Sequence, residues 1–138
     1  MKGIIHSYIH LAGRLGVLIE VHCETDFVAQ HESFRALAND LCLHIAAANP
    51  GYLDRGSVPL YVVEREKEIL AAQVKNKPAE VVEKIVEGKM NKFFGDFCFL
   101  EQAFIKNPEV TVMDFIHQKM AELGEKLVVY QFVRYAVC

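Results

Sequence analysis

The sequence contains no CxxC pair, and its four cysteines, at positions 23, 42, 98 and 138, are widely spaced. That spacing fits neither a zinc ribbon nor a dense secreted disulfide framework, so a reducing compartment is the expected setting. Basic residues are not in excess either. Fifteen Lys and Arg face eighteen Asp and Glu, a formal charge of −3 that leaves no surplus to neutralise a phosphate backbone and argues against direct nucleic-acid binding. No run approaches the eighteen or so apolar residues of a membrane helix, and the opening MKGIIHSYIH lacks the long apolar core of a cleavable signal. A soluble intracellular protein is expected. The patterns GxxxxGK[ST], GxGxxG and GxSxG are missing, which removes a phosphate cradle and a nucleophile elbow. The six histidines, His6, His10, His22, His31, His44 and His117, show no metal-ligand spacing. His22, Cys23 and Glu24 are adjacent, but neighbours on a strand point to opposite faces and cannot converge on one ion. Cys23 and Cys98 sit in alternating apolar surroundings, where a structural thiol is expected in preference to a nucleophile. Neither an enzyme nor a bound metal or cofactor is expected.

What is present is a globular composition, 52% apolar and 24% charged over 138 residues. Such a chain has the size of one ordinary domain and buries roughly two thirds of its unfolded surface. There is no internal repeat, low-complexity segment or clear boundary, so residues 1–138 are read as a single domain.

The most ordered pattern is GRLGVLIEVHCETDFVAQ, residues 13–30. Val17, Ile19, Val21 and Cys23 alternate with Leu18, Glu20, His22 and Glu24, the two-residue period of a half-buried strand. The period breaks at Thr25-Asp26-Phe27, where Thr and Asp are suited to end the strand and cap the next element. Residues 3–10 form a hairpin with this strand, Gly13 supplying an unusual backbone angle. Phe34, Leu37, Ala38, Leu41, Cys42, Ile45 and Ala48 then recur at helical spacing up to Asn49-Pro50-Gly51.

After a turn-rich stretch over 50–57, a helix with Val63, Leu70 and Val74 on its apolar side runs to Lys75-Asn76-Lys77. Pro78 is placed as the first residue of a second helix, carried by Val82, Ile85, Val86, Met90, Phe93 and Phe97. So short a break predicts a helical hairpin, with close packing at Gly88. CFLEQAF, 98–104, reads as a short strand closed by Asn107-Pro108. Thr111 and Asp114 are spaced as a capping box for a helix with Val112, Phe115, Ile116, Met120 and Leu123 inward, stopping at Gly124. KLVVYQFVRYAV, 126–137, alternates again and is expected to be the longest strand. The fold class is therefore α+β: an antiparallel sheet of about four strands with helices on one face and a protruding helical hairpin.

From the residues alone, Phe27 reads either as a core ring with Asp26 capping a helix, or as a side chain presented at a corner held by a rigid strand. His10 reads as a strand-end surface residue, Leu123-Gly124 as a helix stop, and the charged run Glu64–Glu68 as a solvated face. GRLGVLIEVHCETDFVAQ, together with HIAAANP, EREKEIL, KIVEGKMNKFF, LEQAF, ELGEKL and QFVRY, resembles the elongation factor Ts family along nearly the whole chain.

That resemblance implies a guanine nucleotide exchange factor of translation that binds elongation factor Tu, both GDP-bound and nucleotide-free. It implies that Asp26 and Phe27 form a wedge entering near the partner's magnesium and phosphate-binding elements. His10 is similar to a contact in a second recognition region, and Leu123 and Gly124 to a helix-end pair beside the wedge. It implies no cofactor and the bacterial cytoplasm or an organelle as location. A homodimer is expected from the long apolar last strand, rich in Val, Tyr and Phe, which leaves edge or face area to cover, and the resemblance points the same way; Cys138 is a candidate cross-link of such a pair on oxidation. The sequence departs from the family in lacking the usual N-terminal helical domain, which implies an excised core or truncated factor. His22, Gln30, Ala103, Tyr130 and Gln131 also differ from the usual pattern, while TDFVA is intact. The contrasting readings are a self-association module without exchange activity and, more remotely, a thiol enzyme.

Overall fold

The computed structural model describes residues 2–10 and 12–137, so the expectation for Cys138 lies outside the described residues. Nine strand residues, Lys2–His10 (β1), pair antiparallel with Leu15–Cys23 (β2), Lys2 opposite Cys23 and His10 opposite Leu15. The turn between them uses left-handed backbone at Ala12 and Gly13 (φ 56° and 89°), the second of which only glycine adopts without cost. A single helical turn, Asp26–Ala29 (α1), comes next, then Glu32–Ala48 (α2), Leu60–Gln73 (α3) and Ala79–Phe97 (α4). A two-stranded hairpin, Ala103–Phe104 (β3) and Asn107–Thr111 (β4), leads into Val112–Leu123 (α5) and Val128–Ala136 (β5). β5 pairs antiparallel with β2, so the main sheet has the order β1-β2-β5.

The class is α+β. The sheet, however, is three strands with a separate β3-β4 pair rather than four strands together. The strand expected over 98–104 is mostly a 3₁₀ turn, Phe99–Glu101, and Asn107-Pro108 begins β4 instead of ending an element. Proline is tolerated there because it stands near the start of a short strand with a single partner. β5 equals β1 and β2 in length and does not exceed them. Tyr130 is an extra residue between Val129 and Gln131, which pair with Val21 and Glu20; this bulge sets its ring on His22, centroids 5.0 Å apart.

Two compact units emerge, Met1–Asn49 with Ala103–Cys138, and Pro50–Gln102. In the first, one face of the sheet is covered by α2. Val17, Ile19, Val21 and Cys23 from β2 and Phe34, Leu37, Ala38, Leu41, Cys42 and Ile45 from α2 are fully or almost fully buried, each large side chain stabilising by about 1.5–3 kcal/mol. Ala48, also expected inward, is exposed in the last turn, just before Asn49 ends the helix in the left-handed conformation (φ 46°). Polar ties reinforce this layer: His6 Nε2 lies 3.1 Å from Asn39 Oδ1, and Arg134 donates to the Ala46 carbonyl at 3.1 Å. His44, not singled out by the sequence, is buried with Nδ1 accepting from the Ile105 N–H at 3.1 Å.

The second unit is the helical hairpin α3–α4. Its ends are joined by a parallel bridge between Tyr52 and Cys98 and by a bidentate Arg55–Glu101 pair at 2.6 and 2.8 Å, with Arg55 lying over the Phe94 ring. α3 buries no residue and α4 only Met90. Pro78 is the cap of α4, and the helix proper starts at Ala79. The close packing expected at Gly88 is absent: a β-carbon there would meet open space, because the glycine faces away from neighbouring atoms.

Candidate functional site: the corner after strand β2

The end of β2 delivers Thr25 in extended backbone (φ −129°, ψ 156°), the geometry of a helix cap. Thr25 Oγ1 accepts from the Val28 N–H at 3.2 Å, satisfying one of the donors that a helix start leaves unpaired. Thr25, not Asp26, is therefore the cap, and Asp26 and Phe27 are the first two helical residues. Val28 and Ala29, the next two, are buried and anchor the turn, whereas Phe27 is 78% exposed. Its ring is tilted against that of His31, centroids 6.0 Å apart. His31 in turn caps α2, Nδ1 accepting from the Ser33 N–H at 3.1 Å. The Asp26 carboxylate is exposed and lies 3.4 Å from Lys2 Nζ, a surface pair worth about 0–1 kcal/mol.

The corner is tied to a point a hundred residues further on. α5 opens with the expected capping box between Thr111 and Asp114 and stops at Gly124, φ 70°. The left-handed glycine turns the chain so that Glu125 faces back to the end of β2. Its carboxylate accepts from the Glu24 and Thr25 N–H groups at 3.0 and 3.1 Å and from the Thr25 hydroxyl at 2.5 Å. Glu24 answers, one carboxylate oxygen accepting from the Lys126 N–H at 2.9 Å. The Thr25 hydroxyl and the two backbone donors hold the Glu125 carboxyl below its ordinary range. Burial pushes the Cys23 thiol up, and Cys23 donates to the Thr25 carbonyl at 3.3 Å. Cys42 and Cys98 are likewise raised by burial, to about 12 and about 11, so these thiols are held protonated rather than activated.

Of the residues singled out in the sequence, Asp26 and Phe27 stand together at the corner, with Leu123 and Gly124 immediately before the residue that grips it. His10 is elsewhere. It lies at the other end of the β1-β2 pair, eight residues along β1 from Lys2, about 26 Å away at strand spacing. There it stacks on Tyr8, whose hydroxyl is 2.7 Å from Nδ1. Among the described residues no group of three His, Cys, Asp or Glu is placed to hold a metal ion. An exposed aromatic ring and an exposed carboxylate thus stand side by side on a turn whose next two residues are buried.

The family described as Elongation factor TS matches residues 1–138 in full. The chain belongs to the elongation factor Ts family. It is 54% identical over 138 residues to elongation factor Ts of Moorella thermoacetica, covering 99% of this chain and 68% of that protein. It is 53% identical to the Thermodesulfovibrio yellowstonii factor (99% and 68%) and 52% identical to the Carboxydothermus hydrogenoformans factor (97% and 63%). The chain thus spans about two thirds of the length of these elongation factor Ts relatives. Glu24 and Glu125 escape a reading of the sequence, because each looks like an ordinary surface carboxylate until the fold joins them; the only local signal is that Glu125 comes directly after a helix-stopping glycine.

Proposed function

We propose that this chain is a nucleotide exchange core that binds elongation factor Tu and promotes GDP release, with no bond made or broken. The observation that carries the reading is Phe27: a large ring left 78% exposed on a helical turn whose other side is buried and whose cap is gripped from a distant segment. A ring that only needed a home in the core would not be held outward by such scaffolding. The mechanism rests on linkage: a protein that binds the nucleotide-free partner more tightly than the GDP-bound one weakens GDP by the same factor. Asp26 and Phe27 act as the wedge that displaces the elements holding magnesium and phosphate, Leu123 and Gly124 flank it, and His10 meets a second region of the partner. No helix of the described residues is long and apolar enough to cross a membrane.

The test is release of labelled GDP from elongation factor Tu with and without the chain. Wild type is expected to accelerate release, Phe27→Ala to lose most of the acceleration, and Asp26→Ala part of it. A Phe27→Ala variant as active as wild type would sink the wedge.

A second reading, self-association, is favoured by the uncovered face of the sheet. Ile5, Ile9, Leu18 and Tyr135 are exposed there, in register across three strands: Ser7, Leu18 and Val133 align, as do Ile9, Gly16 and Tyr135. Pairing of two copies through this face would cover apolar area that a monomer leaves wet. It would also offer one partner the wedge of one copy and the His10 end of the other. Sedimentation at tens of micromolar is expected to show a dimer that Leu18→Lys disperses; a wild-type monomer would remove this reading and leave the exchange core standing.

A further inference from the structure

We infer that Glu125 is the positioning residue of the wedge, holding Phe27 in its presented conformation before any partner arrives. The inference rests on the reading of Asp26-Phe27 as the partner-contacting pair. α1 is a single turn of four residues, and so short a helix does not persist on its own backbone bonds. Its start is Thr25, and Thr25 is where Glu125 bonds: two backbone N–H groups and one hydroxyl converge on a single carboxylate. The short hydroxyl-to-carboxylate bond is of the strong, charge-assisted kind. With its proton directed at Glu125, the Thr25 oxygen keeps a lone pair for the Val28 N–H. One carboxylate thereby fixes both the rotamer of the cap and the exit direction of the strand. The return bond from the Lys126 N–H to Glu24 closes the clamp in the opposite sense. Leu123 and Gly124 enter the same scheme: the φ of 70° at Gly124 is what aims Glu125 at the corner, so the helix-end pair acts on the wedge through Glu125 as well as lying next to it.

The test has two arms. In the free protein, amide hydrogen exchange at Val28 and Ala29 is expected to quicken about tenfold or more in Glu125→Ala, since opening of the turn no longer breaks the clamp. In the second arm, affinity for nucleotide-free elongation factor Tu is measured for wild type, Glu125→Ala, Phe27→Ala and the double variant. Glu125→Ala is expected to bind about tenfold more weakly, the loss that results when the competent conformer is populated about one time in ten. Because Glu125 acts through the turn that carries Phe27, the double variant is expected to bind more weakly than Phe27→Ala only by the smaller share that Asp26 carries. Glu125→Gln keeps a carbonyl oxygen for the two backbone donors and is expected to restore most of the affinity; it also carries the comparison if Glu125→Ala melts below the assay temperature. Unchanged exchange at Val28 and Ala29 overturns the inference whatever the partner does, and so does a loss that adds in full to that of Phe27→Ala. A wild-type chain that fails to bind, with the exchange arm as expected, overturns the exchange-core reading and leaves the clamp in place.

Discussion

Two phenylalanines seven positions apart have opposite environments. Phe34, in the first turns of α2, is fully buried under the sheet, while Phe27, on α1, is 78% exposed. Both are large rings on helices that come after the same strand. The difference lies in what the backbone around them is for. α2 is seventeen residues long and buries seven of them, so its ring joins a layer that the helix itself creates. α1 is too short to have a stripe; it buries Val28 and Ala29 and points Phe27 away. Hydrophobic residues therefore meet two environments here, enclosed on α2 and exposed on α1.

The strongest challenge to this contrast is Phe34→Ala. Removal of a fully enclosed ring is expected to cost about 3–5 kcal/mol, a large part of a domain's stability, read as a lowered denaturation midpoint. A cost under about 1.5 kcal/mol, the range of volume-conserving core changes, would mean that α2 is less tightly seated than its burial indicates. A smaller effect is expected from Gly124→Ala. A β-carbon there meets no neighbour, yet φ is 70°, so the penalty is purely that of left-handed backbone, about 1–2 kcal/mol. If the chain relieves that strain by swinging Glu125 off the corner, amide exchange at Val28 rises with it. The smallest effect on stability belongs to Phe27→Ala, within about 0.5 kcal/mol as for other exposed changes. A variant that unfolds readily would place Phe27 with Phe34 and erase the distinction.

Much of the region around Phe34 is legible in its residues. Alternation in β2 and the three-and-four spacing from Phe34 to Ile45 are periodicities of the backbone, so the buried face is dictated by geometry alone. The Thr111-Asp114 box and the left-handed stop at Gly124 are equally local, since both partners of each motif lie within one turn. The β3-β4 pair is not legible: two and five residues are too short to show a period, and Pro108 looks like an end. Gly88 misleads for another reason. Glycine permits close approach but does not require it, and whether an atom comes near is set by the partner helix.

The corner divides the same way. Its residues alone dictate that β2 must end before Thr25, because the alternation stops where a capping residue stands, and that the resemblance carried by TDFVA falls on Asp26 and Phe27. They leave the direction of the ring open between core and solvent. Packing in three dimensions settles it, since exposure depends on which neighbours arrive from other parts of the chain. Val28 and Ala29 take the inward side against the sheet and α2, and Glu125 arrives from a hundred residues away to grip Thr25. Hydrogen bonds of that span leave no periodic trace in the residues between them, because the chain's path, and not its local preference, brings the partners together.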